Sequence, residues 1–192
     1  MAAQKSGKAP KKSGTDWRWI ITIFVITVCI SAVMSLISTN LLANATLGVS
    51  FVILISIIAI GIVFDIIGVA VTAADEKPFH SMAARKVPGS QEAIRLLRNA
   101  ERVSSICNDV VGDICGVVSG SASATIAALI LTQVDVGWPR GVSLVMSALV
   151  AGLTVGGKAI GKTFAVNSCT QIVHMVGKVL HALNGLHGKK KK

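Results

Sequence analysis

Residues 103–120 read V-S-S-I-C-N-D-V-V-G-D-I-C-G-V-V-S-G, and two carboxylates stand in what otherwise has the composition of a membrane-spanning helix. Asp109 and Asp113 are four apart, so a helix stacks them on one face, and Gly116 and Gly120 continue that stripe. Asn108 sits beside them. In hydrocarbon a carboxylate is costly unless it is paired, protonated, hydrated or bound to a cation, so this face is expected to point into the protein. The run continues through S-A-S-A-T-I-A-A-L-I-L to about Thr132. Its Gly, Ala and Ser content, with Gly112, Gly116 and Gly120 at four-residue intervals, predicts the central helix against which the others pack.

The chain has 192 residues, 52% of them hydrophobic, and a mean hydropathy of +0.69. These values exceed those of soluble globular domains and indicate a membrane protein. The net charge of +10 comes from Lys and Arg that flank apolar runs, and Tyr is absent, so a nucleic-acid partner is excluded. Cys29, Cys107, Cys115 and Cys169 lack metal-ligand spacing and are expected as small core residues.

Residues 1–16 form a basic tail expected to be disordered. Trp17 to Leu42 is long enough for a span, with Trp17 and Trp19 as interfacial anchors. A cleaved signal peptide is the rival reading, because Ala43-Asn44-Ala45 has a small-x-small pattern, but the apolar run exceeds a signal peptide's core. Leu47 to Ala74 is the second span, expected to form a hairpin with the first. Asp65 falls late in it between Gly61 and Gly68. It reads either as a hydrated carboxylate near the interface or as a ligand or ion-pair partner in the bundle.

Residues 76–102 are polar and basic. Ser90 is placed to cap a helix in which Ala93, Leu96, Leu97 and Ala100 share one side and Arg95, Arg98 and Arg102 lie largely elsewhere. Such a helix fits the cytoplasmic membrane surface, or alternatively docks a soluble partner. After the third span, about 106–132, Asp135 to Gly141 is a turn with Trp138 at the interface and Pro139 breaking the helix. The fourth span is expected at about 142–157, an amphipathic segment at 158–183 and a basic tail at 184–192.

Five Lys and Arg precede the first span proper, six lie between residues 75 and 102, seven follow from Lys158, and only Arg140 falls in an outside loop. The positive-inside rule therefore predicts an all-α, polytopic cell-membrane protein with four spans, both termini cytoplasmic, and a basic amphipathic helical segment between the second and third spans.

From Phe64 to Gly116 the sequence resembles the transmembrane domain of the CorB/CorC and cyclin M family of magnesium transporters, and the likeness extends over about residues 47–183. That family's pattern is Ser-Gly-Ser-Glu-Thr-Ala-Leu, then a basic segment with an Ala-x-x-Leu-Leu helix, then an Ile-Gly-Asn-Asn-like turn. Here the first part reads D-I-I-G-V-A-V-T-A-A from Asp65 to Ala74, Ala93 to Leu97 matches the second, and Ile106 to Asp109 the third. The segment from Gly157 to Gly161 is similar to the one after the family's last span. The resemblance implies a site of oxygen ligands for a hard cation such as Mg2+, and a homodimer for which the Gly-lined third and fourth spans offer an interface; packing within one chain explains those glycines equally well. The ligands depart from the pattern. Of the motif set only Asn108 is kept, the serines become Asp65 and Ile67, the glutamate becomes Gly68, an acid becomes Thr154, and no CBS pair is expected after Lys192.

Two functions follow as expectations. One is a transporter in which Asp65, Asn108, Asp109 and Asp113 form a replacement cation site with Lys158 as counter-charge. The other is a non-transporting membrane scaffold whose basic faces bind anionic lipid headgroups or a protein partner. An enzyme is not expected, because His80, His174, His181 and His187 lie in cytoplasmic segments and no nucleophile elbow, phosphate loop or zinc spacing occurs.

Overall fold

The computed structural model describes residues 17–43, 45–133 and 137–188; the tail expected at 1–16, residues 189–192 of the tail expected at 184–192, and Asp135 lie outside the described residues, while 184–188 continue the last helix in place of beginning a tail. The elements are helical throughout: α1 (Trp17–Ala43), α2 (Leu47–Ala73), α3 (Lys77–Ala84), α4 (Ser90–Arg98), α5 (Ala100–Ser104), a π-helical segment (Ser105–Gly112), α6 (Asp113–Gln133), α7 (Pro139–Asn167) and α8 (Cys169–Gly188). Four stretches are long and apolar enough to cross a bilayer: Ile20–Ala43, Leu47–Ala73, Ala100–Gln133 and Pro139–Asn167. The expectation of an all-α chain with four spans and a helical segment between the second and third therefore holds.

α2 is the hub, packing against α6, α7, the π segment, α5 and α8, while the stretch Ala100–Gln133 is the most buried of the four. The expected hairpin of the first two spans is not the main contact, since α1 lies chiefly along α6. Three apolar clusters run the length of the bundle. At one end Leu42, Leu54, Ile58, Ile126, Met146 and Val150 meet. Midway, Ile57, Val110, Ile114, Cys115 and Val118 pack, with Met34 of α1 against them. At the end where α3, α4 and α8 sit, Ala70, Val71, Phe79, Ala93, Leu97 and Val173 form the third.

The fourth span does not stop at residue 157. α7 continues to Asn167 because Lys158 is sheltered and partnered, so its charge does not end the helix in water. In the polar segment Gly89, not Ser90, is the N-cap of α4; its φ of +82° is a left-handed conformation suited to glycine. Ser90 is buried and its Oγ donates to the Val87 carbonyl at 2.7 Å. Ala93 and Leu97 do share one side of α4, but that side is covered by α8 and α3 instead of lipid. Glu76, at the N-cap of α3, faces Arg98 of α4 at 3.9 Å, and Glu92 of α4 meets His181 of α8 at 3.0 Å. The His181 hydrogen bond holds the Glu92 carboxyl below its ordinary value of 4.5. All four cysteines are free thiols; Cys107 and Cys115 are buried as expected, whereas Cys29 is exposed.

Candidate functional site

One face of α2 carries Gly61, Asp65 and Gly68, a spacing of roughly one helical turn at each step. Both glycines are close-approach positions. A Cβ at Gly61 would lie 2.8 Å from the Cβ of Cys115, and one at Gly68 would overlap the side-chain amide of Asn108. The absence of these two methyl groups brings the stretch from Asn108 to Cys115 directly onto α2, with Asp65 between the contacts. Asp65 is 4% exposed.

Across from it, Lys158 of α7 places Nζ 3.8 Å from Asp65 Oδ1 and donates at 3.5 Å to the carbonyl oxygen of Gly112. The missing side chain at Gly112 leaves room for this, since a Cβ there would stand 3.2 Å from the ammonium. Gly157 and Gly161 let α7 approach Ile62 and Ile66 of α2 in the same way. The second carboxylate oxygen of Asp65, Oδ2, is buried without a partner, as is Oδ1 of Asn108, whose Nδ2 donates to Ser104 Oγ at 3.2 Å. Buried acceptors without donors are rare in proteins and mark places where a cation, proton or water is accommodated.

The π-helical segment from Ser105 to Gly112 forms one wall of the site. π-helical turns are uncommon and often occur at functional sites. Ser105 Oγ donates to Asp109 Oδ2 at 2.9 Å within it. Together with the Asn108 bond, this adds local side-chain contacts to a stretch whose backbone departs from regular α geometry.

At 1.5 Å per residue, Asp65 lies about 27 Å from Leu47, Lys158 about 29 Å from Pro139 and Gly112 about 32 Å from Gln133, which puts all three near one edge of a hydrocarbon layer about 30 Å thick. The site is at the mouth of the bundle beside the α3–α5 layer, and not at its midplane.

The structure thus brings Asp65, Asn108, Gly112 and Lys158 to a common locus. It does not bring in Asp109 or Asp113, which are both exposed, and among the described residues no group of three or more His, Cys, Asp and Glu is placed to hold a metal ion. The inward orientation expected for the Asp109 and Asp113 face is therefore corrected. Both acids lie near the edge of the hydrocarbon layer, where an outward carboxylate stays hydrated. Gly116 and Gly120 also differ from expectation as packing residues, because a Cβ at either would meet nothing within 4 Å. They line an open groove between α6 and α7 with Ser123, Ser147 and Thr154. The Gly112 carbonyl and Ser104 are the contributors that side-chain spacing did not point to.

No protein-family model, curated protein or solved structure matches this chain. Its class accordingly rests on the fold itself, that of an all-α protein with four helices long and apolar enough to cross a membrane.

Proposed function

We propose that this is a cation-transporting membrane protein in which Asp65 is the buried cation ligand at the mouth of the bundle and Lys158 a tethered cation that fills the site when no ion is bound. The observation that carries the reading is the Asp65 carboxylate, buried, with one oxygen facing Lys158 at 3.8 Å and the other without a partner. An acid held in a membrane bundle by a single counter-charge is a functional position before it is a stabilising one. The resemblance of the flanking sequence to the CorB/CorC and cyclin M transporters points to cation transport in general, while the Mg2+ ligands of that pattern are kept here only at Asn108.

Charge balance selects the ion. Asp65 and Lys158 together are neutral, so a monovalent cation that displaces the ammonium replaces it charge for charge. A Mg2+ ion leaves positive charge in excess with only one grouped carboxylate, and Asp109 and Asp113 would have to turn inward to complete its oxygen shell. The Lys and Arg distribution supports placing both tails, α3–α5 and α8 on the cytoplasmic side. The test is cation flux into vesicles containing the full-length protein. Asp65→Asn abolishes it, and Asp109→Asn and Asp113→Asn leave it near wild type.

The scaffold reading is favoured by one specific feature, namely that Lys158 bridges Asp65 of α2 and the Gly112 carbonyl and so ties three spans together without any ion. On that reading no cation binds to wild type or to Lys158→Met, and the exposed Arg85, Lys86 and Arg98 serve to hold anionic lipid or a partner.

A further inference from the structure

We propose that the outward face of α8 lies in the headgroup layer of an anionic bilayer, making this helix a membrane-surface element in addition to the four spans. α8 is apolar on two opposite sides. On one, Val173 is fully buried against α2 and α4 residues, and Gly177 presses on the carbonyl of Gly89. On the other, Met175, Val179 and Leu183 are 67%, 55% and 54% exposed. At 100° per residue the last three fall within a sector of about 80°, and the exposed Gln171 and Lys178 only flank it. A surface helix bathed in water presents polar residues on this side, so an apolar medium is the environment that fits.

Depth identifies the medium. Val173 packs in one cluster with Ala70 and Val71, and Ala70 is about 35 Å along α2 from Leu47, just beyond a hydrocarbon layer about 30 Å thick. The preceding α7 also ends in exposed apolar side chains, Phe164 and Val166. Charge supplies the lipid class. Lys178 on the flank and Lys162 on α7 are exposed, and four further lysines, Lys189 to Lys192, follow in sequence. α4 offers no comparable surface, because its apolar side is taken up by α8.

The experiment uses the full-length protein with Cys29→Ser and Cys169→Ala, carrying Met175→Cys or Leu183→Cys labelled with an environment-sensitive fluorophore. It is reconstituted in phosphatidylcholine vesicles with and without phosphatidylglycerol, with Arg95→Cys as the water-facing reference. The expected result is blue-shifted emission at 175 and 183, quenching by shallow nitroxide lipids, and several-fold less quenching by aqueous iodide than at 95, the difference widening with phosphatidylglycerol. Iodide quenching equal to that at 95 overturns the proposal. So does shelter that disappears as the lipid-to-protein ratio rises, which assigns the face to a second copy, and so does shelter indifferent to phosphatidylglycerol, which removes the anionic preference.

Discussion

Lys158 Nζ stands 3.8 Å from Asp65 Oδ1, joining α7 to α2 within the bundle, with the two side chains 21% and 5% exposed. Removing one member of a sheltered pair strands the other, so Asp65→Asn or Lys158→Met alone is expected to cost about 3 kcal/mol of stability. The double variant recovers most of that loss, because no charge is left unpaired. Thermal unfolding of the purified variants in detergent reads this coupling, and additive losses would contradict it.

Gly89 and Gly177 make a backbone-to-backbone contact between α4 and α8. A Cβ at Gly89 would lie 2.5 Å from the Lys178 amide nitrogen, and Gly89 has a φ of +82°. Neither problem is relieved by moving a flexible side chain. Gly89→Ala is therefore expected to destabilise by about 3 kcal/mol or more, from left-handed strain plus overpacking. Hydrogen exchange in α4 and α8 locates the effect.

The opposite holds at Gly116 and Gly120, where an added Cβ meets nothing within 4 Å. Alanine at either is expected to leave the fold intact or to stabilise α6 by up to about 1 kcal/mol through helix propensity. A loss of several degrees in midpoint at either position would mean that the groove is filled in the assembled protein.

Glu92 titrates below its ordinary value of 4.5 because it accepts a hydrogen bond from His181. A lowered folded value means the contribution is complete above the ordinary value and is lost as pH falls through the folded one. With His181 more than half exposed, the contribution is below about 1 kcal/mol. Wild type and Glu92→Gln should differ slightly at neutral pH and converge in acid below 4.5, as read by midpoint against pH.

Much of this arrangement is legible in the residues. Length and apolarity give the four spans, and the isolated charges Asp65 and Lys158, each late in its apolar run, point to each other as partners. The glycines at 61 and 68 mark the face of α2 that is approached closely. What periodicity could not give is depth. Asp109 and Asp113 share a helix face as their spacing requires, yet that face is exposed, because the rule that an intramembrane acid turns inward weakens near the edge of the hydrocarbon. The π-helical backbone of Ser105–Gly112 is likewise invisible to hydrophobic pattern, and the Gly112 carbonyl enters the site through backbone geometry. A lysine such as Lys158 normally ends a span in sequence, whereas a partnered one lets α7 continue to Asn167.

The most direct measurement is calorimetric binding of Na+, K+ and Mg2+ to the purified protein, with Asp65→Asn, Lys158→Met and the double variant alongside. Wild type is expected to bind a monovalent cation, Asp65→Asn to weaken binding by about tenfold or more, some 1.4 kcal/mol, and Lys158→Met to tighten it by removing the tethered competitor. Absence of binding in wild type and in Lys158→Met, or binding by Asp65→Asn equal to wild type, contradicts the cation site and leaves the Asp65–Lys158 pair as a structural tie.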